Sequence, residues 1–301
     1  MPPFWISIAV LSLVQGAIVA LPRPLVTARS RGRWRRTADG LLALRTRAWA
    51  VIPALSVAAF VVVASVAEHP SAHALTHLAL VAVPLLALLA ASLRGARWLR
   101  LALVAVPALF ALAWADRGGL AGDCAALALT ALSCVALGTL LAWVTPARWL
   151  GAGLVAMAAA DTALVVSDLL QKPNNALNAA HPAAGLPRLQ SAVFGSAVMG
   201  YGDLFAAACL GALAALAAGR AVQRRAAVLT ALLALAMDFL FFVVNELPAT
   251  VPVALTLLAL VAARRLRAAP KARPQVGPAA APARLRVTAG AQAPGPASPL
   301  R

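Results

Sequence analysis

The sequence predicts an all-α, polytopic membrane protein with nine transmembrane helices. Of its 301 residues 62% are hydrophobic and only 12% charged, with a mean hydropathy of +0.87, more apolar surface than a soluble core of this length can bury. Apolar runs recur along the chain at about the 20 residues a helix needs to cross a bilayer. The arginines fall almost entirely into alternate loops, the asymmetry that fixes the orientation of membrane proteins.

The expected spans are residues 4–21, 49–67, 78–93, 101–115, 124–144, 150–170, 191–218, 226–247 and 249–263, the fourth and ninth being the shortest. Residues 4–21 have no basic segment before them and arginines after them, so they read as an anchor with its N-terminus outside, not as a cleaved signal peptide. Of the 26 basic residues, only Arg117, Lys172 and Arg188 belong to the second set of loops. The positive-inside rule then places the tail in the cytoplasm and the N-terminus outside, which demands an odd number of spans. The net charge of +17 is thereby a matter of orientation, and no basic soluble module is visible that would bind nucleic acid.

The organisation expected is an N-terminal five-helix region (1–149), a four-helix region (150–263) and a disordered basic tail (264–301), in a plasma membrane of bacterial type. The tail is rich in Ala, Pro and Arg and lacks apolar periodicity. Cys124, Cys134 and Cys209 lie in or beside apolar runs without a Cys-x-x-Cys pair, so neither a disulfide nor a zinc site is expected. No internal repeat suggests the paired halves of a transporter.

Four of the nine acidic residues, Asp161, Asp168, Asp203 and Asp238, lie in apolar segments. A carboxylate inside a membrane costs on the order of 2.5 to 3.5 kcal/mol on insertion scales, so each asks for a partner or a function. Counted along uninterrupted helices, Asp161 and Asp203 come to one depth, roughly 13 to 18 Å from the outer face at 1.5 Å per residue. Two carboxyl groups that meet share a proton, so that one deprotonates water while the other protonates or polarises a carbonyl. That chemistry needs no metal and no cofactor. Gly195, Gly200 and Gly202 remove bulk where water or substrate approaches. The structural reading of such carboxylates is a hydrogen bond between helices.

Gly200-Tyr201-Gly202-Asp203 resembles the Gly-x-Gly-Asp motif of the presenilin and signal peptide peptidase family of intramembrane aspartyl proteases. In that family the preceding span carries a second Asp, usually after Tyr; here it is Asp161, after Ala160 and four residues before Val165. A Pro-Ala-Leu motif opens the family's last span, and Pro248-Ala249-Thr250 stands in that place, with Thr250 for the Leu. The resemblance covers roughly 150–263 and implies catalytic Asp161 and Asp203, a site shaped by Gly200, Tyr201, Gly202, Pro248, Ala249 and Thr250, and no cofactor. It implies transmembrane or signal-peptide-like substrates held in the bilayer. With the loop 172–190 outside, the orientation is that of signal peptide peptidases. The two prolines Pro248 and Pro252 predict that the last helix begins late, with an irregular entry beside the carboxylates.

The same Gly-x-Gly-Asp also resembles prepilin peptidases, in which case Asp168, followed by Lys172-Pro173-Asn174, would be the partner of Asp203. That family places further helices between its aspartates and a Lys after the second, where this chain has Leu204 and Phe205. A proton-coupled transporter or a scaffold without catalysis is the alternative from another class. Asp168 reads as an interfacial carboxylate near the site's entrance and Asp238 as a structural hydrogen-bond acceptor. Tyr201 is placed either to donate towards the dyad or to pack. His69, His73 and His77 share a helical spacing, but Pro70 and an outer-loop position argue against a metal site.

Overall fold

The computed structural model describes residues 2–23, 40, 43–56, 59, 62, 68–167, 186–244 and 246–268, without the side chains of 68–72. Helix α1 (Phe4–Ala20) is followed by a 3-10 turn at Arg47–Val51, α2 (Glu68–Arg94), α3 (Ala96–Ala115), α4 (Leu120–Val144) and α5 (Ala147–Val166). Strands β1 (Ser191–Phe194) and β2 (Ala197–Gly200) then precede α6 (Tyr201–Asp238), a 3-10 turn at Phe239–Phe242 and α7 (Val251–Ala268). Chain contacts gather Met1–Ala262 into one compact unit and Ala263–Arg301 into a second, of which only 263–268 are described. Most of the expected second span, 49–67, lies outside the described residues, as does the tail beyond 268.

Among the described residues, five helical runs are long and apolar enough to cross a membrane: His73–Arg94, Ala96–Ala115, Leu120–Val144, Ala147–Val166 and Tyr201–Phe242. Phe4–Ala20 is a shorter apolar helix. A predominantly helical chain compatible with multiple membrane crossings is therefore what the described residues support. Pro84 in α2 and Pro107 in α3 sit inside helices, as helices surrounded by lipid and other helices allow.

The run Tyr201–Phe242 is one helix only in name. At 1.5 Å per residue a straight helix of this length would reach about 63 Å, twice a hydrocarbon core. Gly219, at φ 81 and ψ 174, breaks it into two arms. Both arms pack on α1. A Cβ on Gly211 of the first arm would meet the carbonyl oxygen of Val19, and a Cβ on Gly16 would meet Ala231 of the second arm. Hydrogen bonds fix the second arm's direction: Gln223 Nε2 donates to Val19 O at 2.8 Å, while Ser12 Oγ donates to Asp238 at 2.8 Å. The chain thus descends along α1 and returns, as expected for spans separated near Arg220.

Helix α4 is the centre of the unit, with 72% of its apolar window buried, against 17% for α3. It meets the first arm of α6 through Gly138, where an added Cβ would lie 2.7 Å from the carbonyl carbon of Ala208. Small residues allow such close helix approach in the absence of a strong hydrophobic drive between helices. Gly138→Val is expected to destabilise the protein by about 1 to 3 kcal/mol, the usual range for overpacking. Thermal unfolding in detergent measures it.

Two expectations are corrected here. Residues 191–200 do not begin the seventh span as helix; they form an antiparallel hairpin pairing Ser191 with Gly200 and Phe194 with Ala197. Gly195 at φ 58 supplies the left-handed first residue that a two-residue hairpin loop requires. The residues flanking that loop include Val193, Phe194 and Val198, two of them β-branched and one aromatic, types favoured in strands. The second correction concerns His69, His73 and His77, which lie in α2 and not in a loop. Pro70 falls in the first turn of α2, where its missing N–H would have had no helical partner anyway, so it does not interrupt the helix.

Candidate functional site

Asp161 lies near the end of α5 and Asp203 in the first turn of α6. Because the preceding residues are a hairpin, Asp203 is not the mid-helix carboxylate that an uninterrupted span would give. The two aspartates nevertheless stand at one level. Gly202, beside Asp203, would place a Cβ 3.3 Å from Cε of Met157, which is one turn before Asp161 on α5. The two carboxylates are near enough to act on each other electrostatically. Both residues are half-buried.

The Gly-x-Gly pattern has a local cause. The Gly200 N–H donates to Asp203 Oδ2 at 3.0 Å, so the carboxylate folds back over the start of its own helix. A Cβ at Gly200 would sit 3.0 Å from that oxygen and push it away. This is the acceptor role that an acidic third residue often plays at a helix N-terminus. It occupies one carboxylate oxygen of Asp203.

Thr250 connects the third motif to the first aspartate. Its hydroxyl donates to Asp161 Oδ2 at 2.6 Å, and the residue is 2% exposed. Helix α7 begins only at Val251, after an irregular stretch at 246–248 and a turn at 249–250, as the two prolines predict. Pro252 is in the first turn, where proline costs least. The other side of the turn is held by α1: Gln15 Nε2 donates to Ala249 O at 2.7 Å. Pro248-Ala249-Thr250 is thus pinned between α1 and α5.

The remaining predicted residues take other places. The Tyr201 hydroxyl pairs with Ser133 Oγ of α4 at 2.8 Å and does not reach the carboxylates, which corrects the option that it donates to them. Asp238 accepts from Ser12 of α1 at 2.8 Å, three residues before the Gln15 that holds Ala249, and this is the structural bond expected of it. Asp238→Asn keeps an acceptor for Ser12, so thermal unfolding of this variant is expected to stay within a few degrees of the parent chain. Asp168 and Lys172-Pro173-Asn174 lie outside the described residues. Among the described residues no group of three or more His, Cys, Asp and Glu is arranged to hold a metal ion.

Two residues that sequence reasoning passed over position the site. Asp123 of α4 accepts from the Gly195 N–H at 3.0 Å and ties the hairpin tip to the central helix. Met157 sets the spacing between α5 and Gly202. Asp123 opens an apolar run shortly after Gly119, which looks like an ordinary helix start, and only the fold brings it to the hairpin.

Comparison with known protein families, with curated proteins and with solved structures finds no match for this chain. What fold and site define is a class: a helical protein with several membrane-length helices that holds aspartates from two of them together, beside a buried threonine at the entry to a third.

Proposed function

We propose that this protein is an intramembrane aspartyl protease that hydrolyses peptide bonds within transmembrane segments, using Asp161 and Asp203 as its acid and base. One observation carries the reading. Three separate sequence elements, Asp161, Gly200-Tyr201-Gly202-Asp203 and Pro248-Ala249-Thr250, converge on one place, with Thr250 bonded directly to Asp161. A carboxylate used only as a helix cap has no need of a second one beside it. A carboxylate used only to bind helices together gains nothing from standing near another of like charge.

In the reaction, the ionised carboxylate takes a proton from water as the water oxygen attacks the peptide carbonyl carbon, and the protonated one gives its proton to the carbonyl oxygen. The tetrahedral gem-diol collapses when the C–N bond breaks: the nitrogen takes the proton held by one carboxyl group while the other carboxylate takes a proton from a gem-diol hydroxyl, which becomes the carbonyl of the acid product. The proton count closes on the dyad. Both carboxylates are partly exposed, which in this reading leaves them open to the water the reaction consumes.

The finer reading is a nine-span, presenilin-like bundle in a bacterial plasma membrane, with the N-terminus outside and the tail in the cytoplasm. The break at Gly219 supports two spans in place of one, and the arginine asymmetry supports the orientation. Substrates then resemble those of signal peptide peptidases: segments whose N-termini lie in the cytoplasm. The prepilin peptidase reading differs in pairing Asp168 with Asp203. Cleavage of a transmembrane peptide by purified Asp161→Asn and Asp168→Asn variants decides between them: the first is expected to be inactive and the second active, and the reverse would favour the prepilin pairing.

A further inference from the structure

Ala249 and Thr250 share one peptide group, and its two polar ends are held by different helices. The Ala249 carbonyl oxygen accepts from Gln15 Nε2 of α1 at 2.7 Å. The Thr250 N–H faces the Asp161 carboxylate of α5, the same group to which the Thr250 hydroxyl donates at 2.6 Å. A trans peptide is flat and points its C=O and N–H in opposite directions, so whatever fixes the oxygen also aims the N–H.

The local sequence explains why this carbonyl takes its donor from another helix. Ala249 lies before α7, which starts at Val251, and Pro252, three residues on, has no N–H to return to it. A backbone oxygen left unpaired away from water costs about as much as a lost hydrogen bond. Gln15 meets that need: it is fully buried, and only the NH₂ end of its amide can pair with a carbonyl. Its neighbours on α1 have other tasks. Ser12, Gly16 and Val19 hold α1 against the second arm of α6 through Asp238, Ala231 and Gln223. The packing of α1 on α6 therefore does not hang on the Gln15 amide.

We infer that Gln15 is a positioning residue of the proteolytic site: by holding the Ala249–Thr250 peptide it aims the two donors of Thr250 at Asp161. The inference rests on the proposed role of Asp161 and Asp203 as acid and base. It brings the first helix into the site, from 234 residues away in the chain. Gln15 acts through Thr250 and not on the reacting atoms.

Cleavage kinetics of Gln15→Met, which keeps the length of the side chain and removes the donor, test the inference against the Asp203-dependent rate of the parent chain. kcat is expected to fall about 3- to 10-fold with KM unchanged, the effect of one neutral hydrogen bond. Gln15→Asn keeps an amide but is one methylene too short, so it is expected to fall likewise and serves if the Met variant does not fold. Combined with Thr250→Val, either should cost less than the product of the separate losses, because both act on Asp161. A residue that only holds helices together would give the full product. Unchanged kcat in a folded Gln15 variant, or losses that multiply, would overturn the role of Gln15 and leave the protease reading standing. A second readout needs no cleavage: the NMR signal of the Thr250 amide, identified in nitrogen-labelled threonine protein as the one missing from Thr250→Val. It is expected to shift in both Gln15 variants, and an unmoved signal would overturn the inference. A shifted signal in a chain whose parent cleaves nothing would overturn the protease reading and leave Gln15 a structural contact only.

Discussion

Asp203→Asn and Asp161→Asn are each expected to abolish cleavage of a transmembrane substrate while leaving the fold in place. The amide is isosteric with the carboxyl group and keeps an oxygen acceptor. In Asp203→Asn that oxygen would still take the Gly200 N–H, and in Asp161→Asn the Thr250 hydroxyl, so the two bonds seen at 3.0 Å and 2.6 Å survive. What the amide cannot do is exchange a proton at neutral pH. General acid and base catalysis contributes roughly 10²- to 10⁴-fold, and loss of either partner of a coupled pair removes the whole contribution. The expected loss is therefore at least about a hundredfold for each variant. A double variant should be no worse than either single one. Unfolding temperature and helicity measured beside the cleavage rate separate chemistry from folding: a rate loss matched by a loss of structure would not count for the dyad.

The second large effect is expected at Thr250. Its hydroxyl is bonded to a carboxylate, a type of hydrogen bond worth about 1.5 to 3 kcal/mol. Thr250→Val has the same shape without the donor. If the bond holds Asp161 in its working orientation, the rate falls by roughly 10- to 150-fold, since each 1.36 kcal/mol is about tenfold. The loss should lie in kcat and not in KM, because Thr250 acts on Asp161 as a positioning residue. Thr250→Ser restores the donor and is expected to recover most of the rate. A purely packing role for Thr250 predicts the opposite order, with Val tolerated and Ser impaired by the lost methyl group.

The parts of this molecule that were legible in the sequence are those decided by composition over long windows. Apolar runs located α1 and α3 through α5 to within a few residues, and the Gly219-Arg220 pair marked where α6 turns back. Helix α2 was placed correctly at its end but starts earlier than its apolar run, because the polar turn holding His69 and His73 is helical too. The irregular entry to α7 followed from two prolines, a purely local effect. The hairpin was missed because residues 191–200 are apolar enough to pass as the start of a span. The signal was present: Gly195-Ser196 is a two-residue loop of a type favoured in hairpins, flanked by Val193, Phe194 and Val198. Its consequence is that Asp203 begins a helix where an unbroken span would bury it in the middle.

Pairings across the fold were not legible. Thr250 in place of Leu looked like a departure from a motif, and only the packing of the entry to α7 beside α5 turns it into a donor for Asp161. Tyr201 has the same spacing whether it faces the carboxylates or Ser133 of α4, because nothing local sets the rotation of α6. The indole N–H of Trp143, buried without a hydrogen-bond partner among the described residues, is the same kind of fact: a tryptophan is visible in a sequence, the pairing of its N–H is not.

The most direct measurement is mass spectrometry of the products when the purified chain, in lipid, meets a transmembrane peptide whose N-terminus lies on the tail side. The account predicts two fragments whose masses add up to the substrate plus one water, absent with Asp203→Asn and suppressed by a transition-state-analogue inhibitor of aspartyl proteases. An intact peptide in the presence of folded protein, in either orientation, or cleavage that continues with Asp203→Asn, would contradict it.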